Sequence, residues 1–201
     1  MENHQNDFNM MFDVFESMGH HLPQQAKDDI MASTQIKEYK KNETILRYGD
    51  YCDSVSFIVE GVAMIKYEAD EDRELVEWIM KEGDVFISVQ SYCWGIKSIE
   101  TIVALENTRC IVLPKTMVKT LSKKYEAFNI LESHLLEHYH AKSDVRKKLN
   151  DKSAANRYEY LLKNEPWLFD RVSDFVMAHY LKMTEQTFSK IKKGHQGNSG
   201  T

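Results

Sequence analysis

Glu185, Gln186, Ser189, Lys190 and Lys193 are spaced so that a helix would carry them on one polar, partly basic face. Phe188 and Ile191 would lie on the opposite side and bury that helix against its neighbours. Thr184, just before it, can accept a bond from a free amide of the first turn and so act as an N-cap. Upstream, Val172, Val176 and Tyr180 recur at intervals of four, which predicts a helix from Ser173 to Leu181. Lys182 and Met183 are left to make the turn. Two short helices joined by a tight turn, the second presenting polar and basic groups, suit insertion into a DNA major groove. Ordinary helical bundles contain similar corners, so charge and context have to decide.

The chain has 201 residues and a net charge of −5. From Lys152 onward there are eight Lys or Arg against five Asp or Glu, about +3, which leaves about −8 for the first 151 residues. An acidic regulatory part joined to a basic DNA-contacting part fits that split. Hydrophobic content of 42% and charged content of 28% are those of a soluble globular protein. The polar, acidic start MENHQNDFNMMF does not read as a signal peptide, and no apolar run is long enough to span a bilayer. Cys52, Cys93 and Cys110 are far apart and in no metal-ligand spacing. They fit a reducing cytoplasm and argue against a disulfide frame, a zinc site or an iron–sulfur cluster.

The histidines offer little chemistry. His134 and His138 are four apart on a predicted helix, a spacing that can bind metal, and His140 is nearby, but no cysteine or acidic triad completes a set. His20 and His21 read as turn residues. A cupin-type metalloenzyme would want His-x-His near a strand, and the one such pair here, His138 to His140, falls on the helix. No metal, no cofactor and no enzymatic activity are expected.

The elements that must position the polar helix differ in period along the chain. After helices at Phe12–Met18 and Pro23–Met31 come short runs rich in Val, Ile, Tyr and Thr: Ile36–Tyr39, Thr44–Leu46, Ser54–Val59, Val62–Tyr67, Leu75–Met80, Ile99–Leu105 and Cys110–Leu113. Turn signals separate them at Tyr48-Gly49-Asp50, Glu60-Gly61, Ala69-Asp70-Glu71-Asp72 and Glu82-Gly83-Asp84. This predicts an α+β chain whose N-terminal part is an all-β sandwich or small barrel of the jelly-roll kind. The stretch Ser88–Lys97 interrupts the pattern and would form a loop over the barrel mouth, where Tyr92, Cys93 and Trp94 could touch a ligand or cover the barrel.

A long helix is expected from about Tyr125 to Leu149. Phe128, Leu131, Leu135, His138, Lys142, Val145 and Leu149 follow at alternating steps of three and four, a coiled-coil seam with two polar interruptions. The apolar members, Phe128, Leu131, Leu135, Val145 and Leu149, are the candidate dimer seam. A helix packed on its own barrel is the alternative.

Helix, barrel, long helix and helix-turn-helix, in that order, resemble the Crp/Fnr family of bacterial transcription regulators over roughly residues 12 to 193. The local matches are Phe57-Ile58-Val59-Glu60-Gly61 with Val62 and Met64, the Gly83-Asp84 turn, Ala104-Leu105-Glu106, Arg157-Tyr158 with Leu161-Leu162, Pro166, and the closing helix-turn-helix. The C-terminal pattern is most similar to the divergent branch common in Bacteroidetes-type bacteria. The resemblance implies a cyclic-nucleotide-binding-like sensor barrel over residues 1–124, a dimerisation helix and hinge over 125–150, and a winged helix-turn-helix over 151–201. It also implies a homodimer on double-stranded DNA, with RNA polymerase a candidate further partner and no membrane contact.

By the same resemblance Glu185, Gln186 and Lys190 would reach base edges: Gln pairs with adenine, Lys donates to guanine and Glu accepts from cytosine. Thr187, Ser189, Lys192 and Lys193 would contact phosphates. Relatives that bind cyclic AMP hold its phosphate with an arginine next to Ser or Thr and its ribose with a Gly-Glu turn. Here Gly83-Asp84 keeps a carboxylate, Ser98 stands where the arginine would be, and Lys97 is the nearby cation. Those four residues outline a candidate pocket of unknown effector, unsuited to cyclic AMP. A ligand-binding barrel with a helical protein-interaction tail and no specific DNA target is the alternative function.

Overall fold

Val55, Phe57 and Val59 alternate with Ser56 and Ile58, and the first three belong to the core beneath the helices. The computed structural model describes residues 2–19, 21–69 and 73–198. His20 and the turn residues Asp70, Glu71 and Asp72 lie outside them. Helices α1 (Glu2–Ser17) and α2 (Gln24–Ser33) lead into strands β1 (Gln35–Tyr39), β2 (Thr44–Leu46), β3 (Ser54–Glu60), β4 (Ala63–Ala69), β5 (Arg73–Met80) and β6 (Val85–Phe86). Helix α3 (Val89–Trp94) then precedes β7 (Thr101–Ala104) and β8 (Thr108–Pro114). Helices α4 (Lys115–Lys124), α5 (Glu126–Asn150), α6 (Ala154–Asn164), α7 (Trp167–Arg171), α8 (Asp174–Tyr180) and α9 (Glu185–Asn198) complete the chain.

The strands form two four-stranded sheets, β1-β8-β3-β6 and β2-β7-β4-β5. That order is a jelly roll. Among the described residues no ladder joins the two sheets, so the expected barrel is an unclosed sandwich. Edge strands of two and three residues, β6 and β2, are too short to carry hydrogen bonds around the corners. Gly61 makes the tight β3–β4 connection at φ +104°, and a Cβ there would meet Thr108 Oγ1 at 2.5 Å and Asn107 O at 2.6 Å. Where a loop was expected over Ser88–Lys97, the chain makes α3.

Two compact units result: Met1–Ile65 with Ile79–Tyr139, and Lys66–Trp78 with His140–Thr201. The expected boundaries at 124 and 150 differ from these, because α5 runs unbroken through residues 139 and 140 and the end of the β4–β5 hairpin counts with the C-terminal helices. In the first unit Phe8, Met11, Phe12 and Phe15 of α1 pack with Ala26, Ile30, Phe57, Ile111 and Leu121. Phe128 and Leu131 are buried in that same core, Leu131 to 2% exposure, and Leu135 packs against it. The seam assignment is therefore corrected for these three: their apolar faces are used inside their own unit. The same three-and-four spacing serves a helix lying on one core as well as a coiled coil. Leu149 is buried too, and of the five seam candidates Val145 alone is markedly exposed. The second unit follows no strand after β8 among the described residues, so the wing expected beside the helix-turn-helix is absent from them.

Candidate nucleic-acid interface

The corner between α8 and α9 is built by caps. Ser173 Oγ accepts from the Val176 amide at 3.4 Å and starts α8. At the other end the Lys182 amide donates to His179 O at 3.1 Å and the Met183 amide to Ala178 O at 3.0 Å. These paired bonds define a Schellman stop, with Lys182 in the left-handed position at φ +52°. A lysine there bears a steric cost that glycine would avoid. Thr184 Oγ1 then accepts from the Thr187 amide at 3.2 Å and caps α9 as expected.

Arg157, on α6, secures that turn. Its Nε donates to Leu181 O at 2.8 Å and its Nη2 to Lys182 O at 3.2 Å, while Nη1 reaches Lys152 O at 2.6 Å. One planar guanidinium thereby ties the start of α6 to the last carbonyls of α8. The adjacent Tyr158 is buried with its ring 5.0 Å from Phe169, 5.6 Å from Phe188 and stacked 5.0 Å from His195. Arg146, on α5, is buried over the Tyr180 ring at 3.5 Å and donates to Tyr180 O. Sequence reasoning assigned neither arginine a role. Arg157-Tyr158 was visible only as a motif, and Arg146 sits among exposed lysines.

Phe188 is 1% exposed, and Glu185, Gln186, Ser189, Lys190 and Lys193 all face solvent. Among the described residues the side chains of these five have no hydrogen-bond or ion-pair partner, so their donors and acceptors remain available. Two expected phosphate contacts stand differently. The Thr187 hydroxyl is 2.9 Å from that of Thr184, and Lys192 Nζ is clamped to both carboxylate oxygens of Asp174 at 2.7 and 2.9 Å.

In the first unit the segment from Ser88 to Ser98 is fastened on several sides. Ser98 Oγ is 2.9 Å from Ser88 Oγ, and both residues are buried. The Ser98 amide donates to Asp50 O and its carbonyl accepts from the Gly49 amide, each at 2.8 Å. Ser91 Oγ accepts from the Cys52 amide at 2.8 Å, and Lys115 Nζ donates to Tyr92 O. Burial pushes the Tyr92 phenol up to about 12, so it stays neutral. A cavity of about 530 Å³ lies beside this segment, with Tyr39, Ser56 and Phe86 among its lining and Lys37, Asp50 and Lys97 exposed around it. Burial also raises Tyr39 to about 12.

Residues 36–125 match the cyclic nucleotide-binding domain family. Over 59 residues the chain is 32% identical to the cAMP-activated global transcriptional regulator Vfr of Pseudomonas aeruginosa; the match covers 29% of this chain and 28% of that relative's length. A crp/fnr-family protein of Eubacterium rectale superposes with a TM-score of 0.71 at 17% identity, covering 88% of this chain and 85% of its own. FixK2 of Bradyrhizobium japonicum does so with a TM-score of 0.71 at 16% identity, covering 83% and 86%. The chain shares the fold of these crp/fnr-family structures.

The four expected pocket residues do not converge. Asp84 turns inward on its own loop: Oδ2 accepts from the Lys81 amide at 3.0 Å and Oδ1 from the Tyr139 hydroxyl at 3.4 Å. Tyr139 Oη also accepts from the Val85 amide at 2.6 Å, which ties the Gly83-Asp84 turn to α5. Burial, with the Asp84 charge behind it, raises the Tyr139 phenol. Ser98 is consumed by the serine contacts, and of the four only Lys97 lines the cavity. Among the described residues no helix is long and apolar enough to cross a membrane.

Proposed function

We propose that the chain is a DNA-binding transcription regulator of the Crp/Fnr type, a cytoplasmic homodimer with no catalytic role. Its two α9 helices enter successive major grooves about one helical turn apart. The observation that carries this reading is the unpartnered polar face of α9, held at a defined angle by the capped turn and by Arg157. Glu185, Gln186 and Lys190 read bases, and Ser189 and Lys193 hold phosphates. RNA polymerase is the natural further partner of such a regulator.

The sensor unit in this reading does not bind cyclic AMP. A phosphodiester charge wants a guanidinium, and the residues lining the cavity offer only the exposed ammonium groups of Lys37 and Lys97. The segment that would receive the phosphate is already satisfied by its own serines. Selection of bound sequences from random DNA, followed by mobility shift on the winning site, tests the DNA reading. Failure to enrich any sequence would favour the helical tail as a protein-interaction element.

A further inference from the structure

Three consecutive carbonyls close the corner between α8 and α9, and each accepts from a guanidinium. Tyr180 O accepts from Arg146 Nη2 on α5, while Leu181 O and Lys182 O accept from Arg157 on α6 at 2.8 and 3.2 Å. A helix end leaves its last carbonyls without partners inside the helix, so these bonds decide where the end of α8 is held. Arg157 grips two neighbouring carbonyls, and that pair alone would let α8 pivot about the line joining them. Arg146 adds a third point from a different helix, with its Cζ 3.5 Å from the centre of the Tyr180 ring. Met183 and Thr184 alone separate the held carbonyls from the start of α9 at Glu185, so the pivot sets the angle of the polar face.

Arg146 is also a poor contributor to stability. It is 5% exposed, its Nε and Nη1 are buried with no hydrogen-bond partner, and among the described residues no carboxylate pairs with it. One hydrogen bond and one ring contact stand against the desolvation of a full charge. An apolar side chain of the same length would fill the position without that cost. Arg157 differs, because its Nε, Nη1 and Nη2 all reach carbonyls. A buried polar group left unsatisfied beside a candidate interface points to function rather than to folding. We propose that Arg146 is a positioning residue for base recognition, setting the pitch at which α9 presents Gln186 and Lys190, at a net cost to the stability of its unit. This inference rests on the DNA-binding reading.

Arg146→Met in the full chain tests it, since methionine keeps the length and packs on an aromatic ring without charge or donors. The denaturation midpoint should stay level or rise. Affinity for the site selected from random DNA should fall at least ~10-fold, the worth of one well-placed base contact. Affinity for random-sequence DNA and its salt slope should match the wild type, because flexible phosphate-contacting side chains tolerate a change of pitch. Combined with Gln186→Ala, the losses on the selected site should be less than additive, since both act on the same base contact. A methionine chain with a lowered midpoint, or one that does not fold, marks Arg146 as an ordinary structural bond and overturns the proposal. So does a methionine chain that keeps the wild-type ratio of selected to random affinity, or whose loss adds in full to that of Gln186→Ala; in both cases the DNA reading stands. A wild-type chain that enriches no sequence removes the DNA reading and this inference with it.

Discussion

The Arg157 guanidinium donates to the carbonyl of Lys182 at 3.2 Å, so the left-handed residue of the turn between α8 and α9 is held by a cation from another helix. The neighbouring bond to Leu181 O at 2.8 Å makes the hold bidentate along the chain. A turn strained by a non-glycine residue is thus fastened by an external fork.

Arg157→Ala should lower the stability of the C-terminal unit by about 1.5–3 kcal/mol, the usual range for hydrogen bonds to a charged group. DNA affinity should fall with it. Arg157→Lys should restore little, because an ammonium cannot span several carbonyls in one plane. Denaturant unfolding alongside mobility shift checks both; a lysine variant as stable as the wild type would show that charge alone matters.

Lys182→Gly should stabilise the same unit by about 0.5–1 kcal/mol, the relief of a left-handed side chain less the extra freedom of glycine when unfolded. The denaturation midpoint should rise with an unchanged slope.

Lys193→Ala should weaken binding to all sequences alike and reduce the salt slope by about one unit. Gln186→Ala and Lys190→Ala should instead cost about 1–3 kcal/mol on the preferred site and relax one base pair of each half-site. Lys192 is held by Asp174, so Asp174→Asn should release it and strengthen binding to every sequence. An Asp174→Asn chain with unchanged affinity would confine Lys192 to joining α8 and α9.

Leu131→Asp, attractive as a dimer-breaking change from the heptad alone, should unfold the first unit, and Leu131→Ala should cost about 2–5 kcal/mol. Thermal unfolding followed by near-ultraviolet dichroism separates loss of packing from loss of a partner.

The Lys124 ammonium, then the Tyr125 hydroxyl, hold the Asp29 carboxyl below its usual value of 3.8. A depressed folded value means a contribution present above about pH 4 and lost as pH falls through the folded value. Asp29→Asn should therefore lower the melting temperature at about pH 6, and the difference should shrink as pH falls through the folded value. A gap that persists in acid would assign the effect to hydrogen bonding of the neutral side chain.

Caps explain why the corner between α8 and α9 was legible. Ser173 and Thr184 are local signals, and α8 and α9 start where those residues place them. The strands β1 to β5 declared themselves as short runs rich in Val, Ile, Tyr and Thr between turn signals, but β6, with two residues, is too short to stand out. Asp84 was read as a ligand carboxylate because Gly83-Asp84 resembles the Gly-Glu turn of cyclic-AMP-binding relatives, while the Tyr139 hydroxyl that engages it lies 55 residues away. Heptad spacing identified α5 but not the direction its apolar face points. Phe128 and Leu131 needed the α1 and α2 side chains packed against them before their partner was known. Arg157 was visible as a signature, and its work depends on carbonyls that no side-chain pattern reveals.

If Ser88, Ser91 and Ser98 already hold the effector segment shut, no metabolite is needed to close it. Under the proposed function, operator occupancy would then track how many copies of the protein the cell holds, and track them steeply, since two would have to meet before either could read DNA. Synthesis and proteolysis would become the input, and the chain would report the history of its own gene's expression.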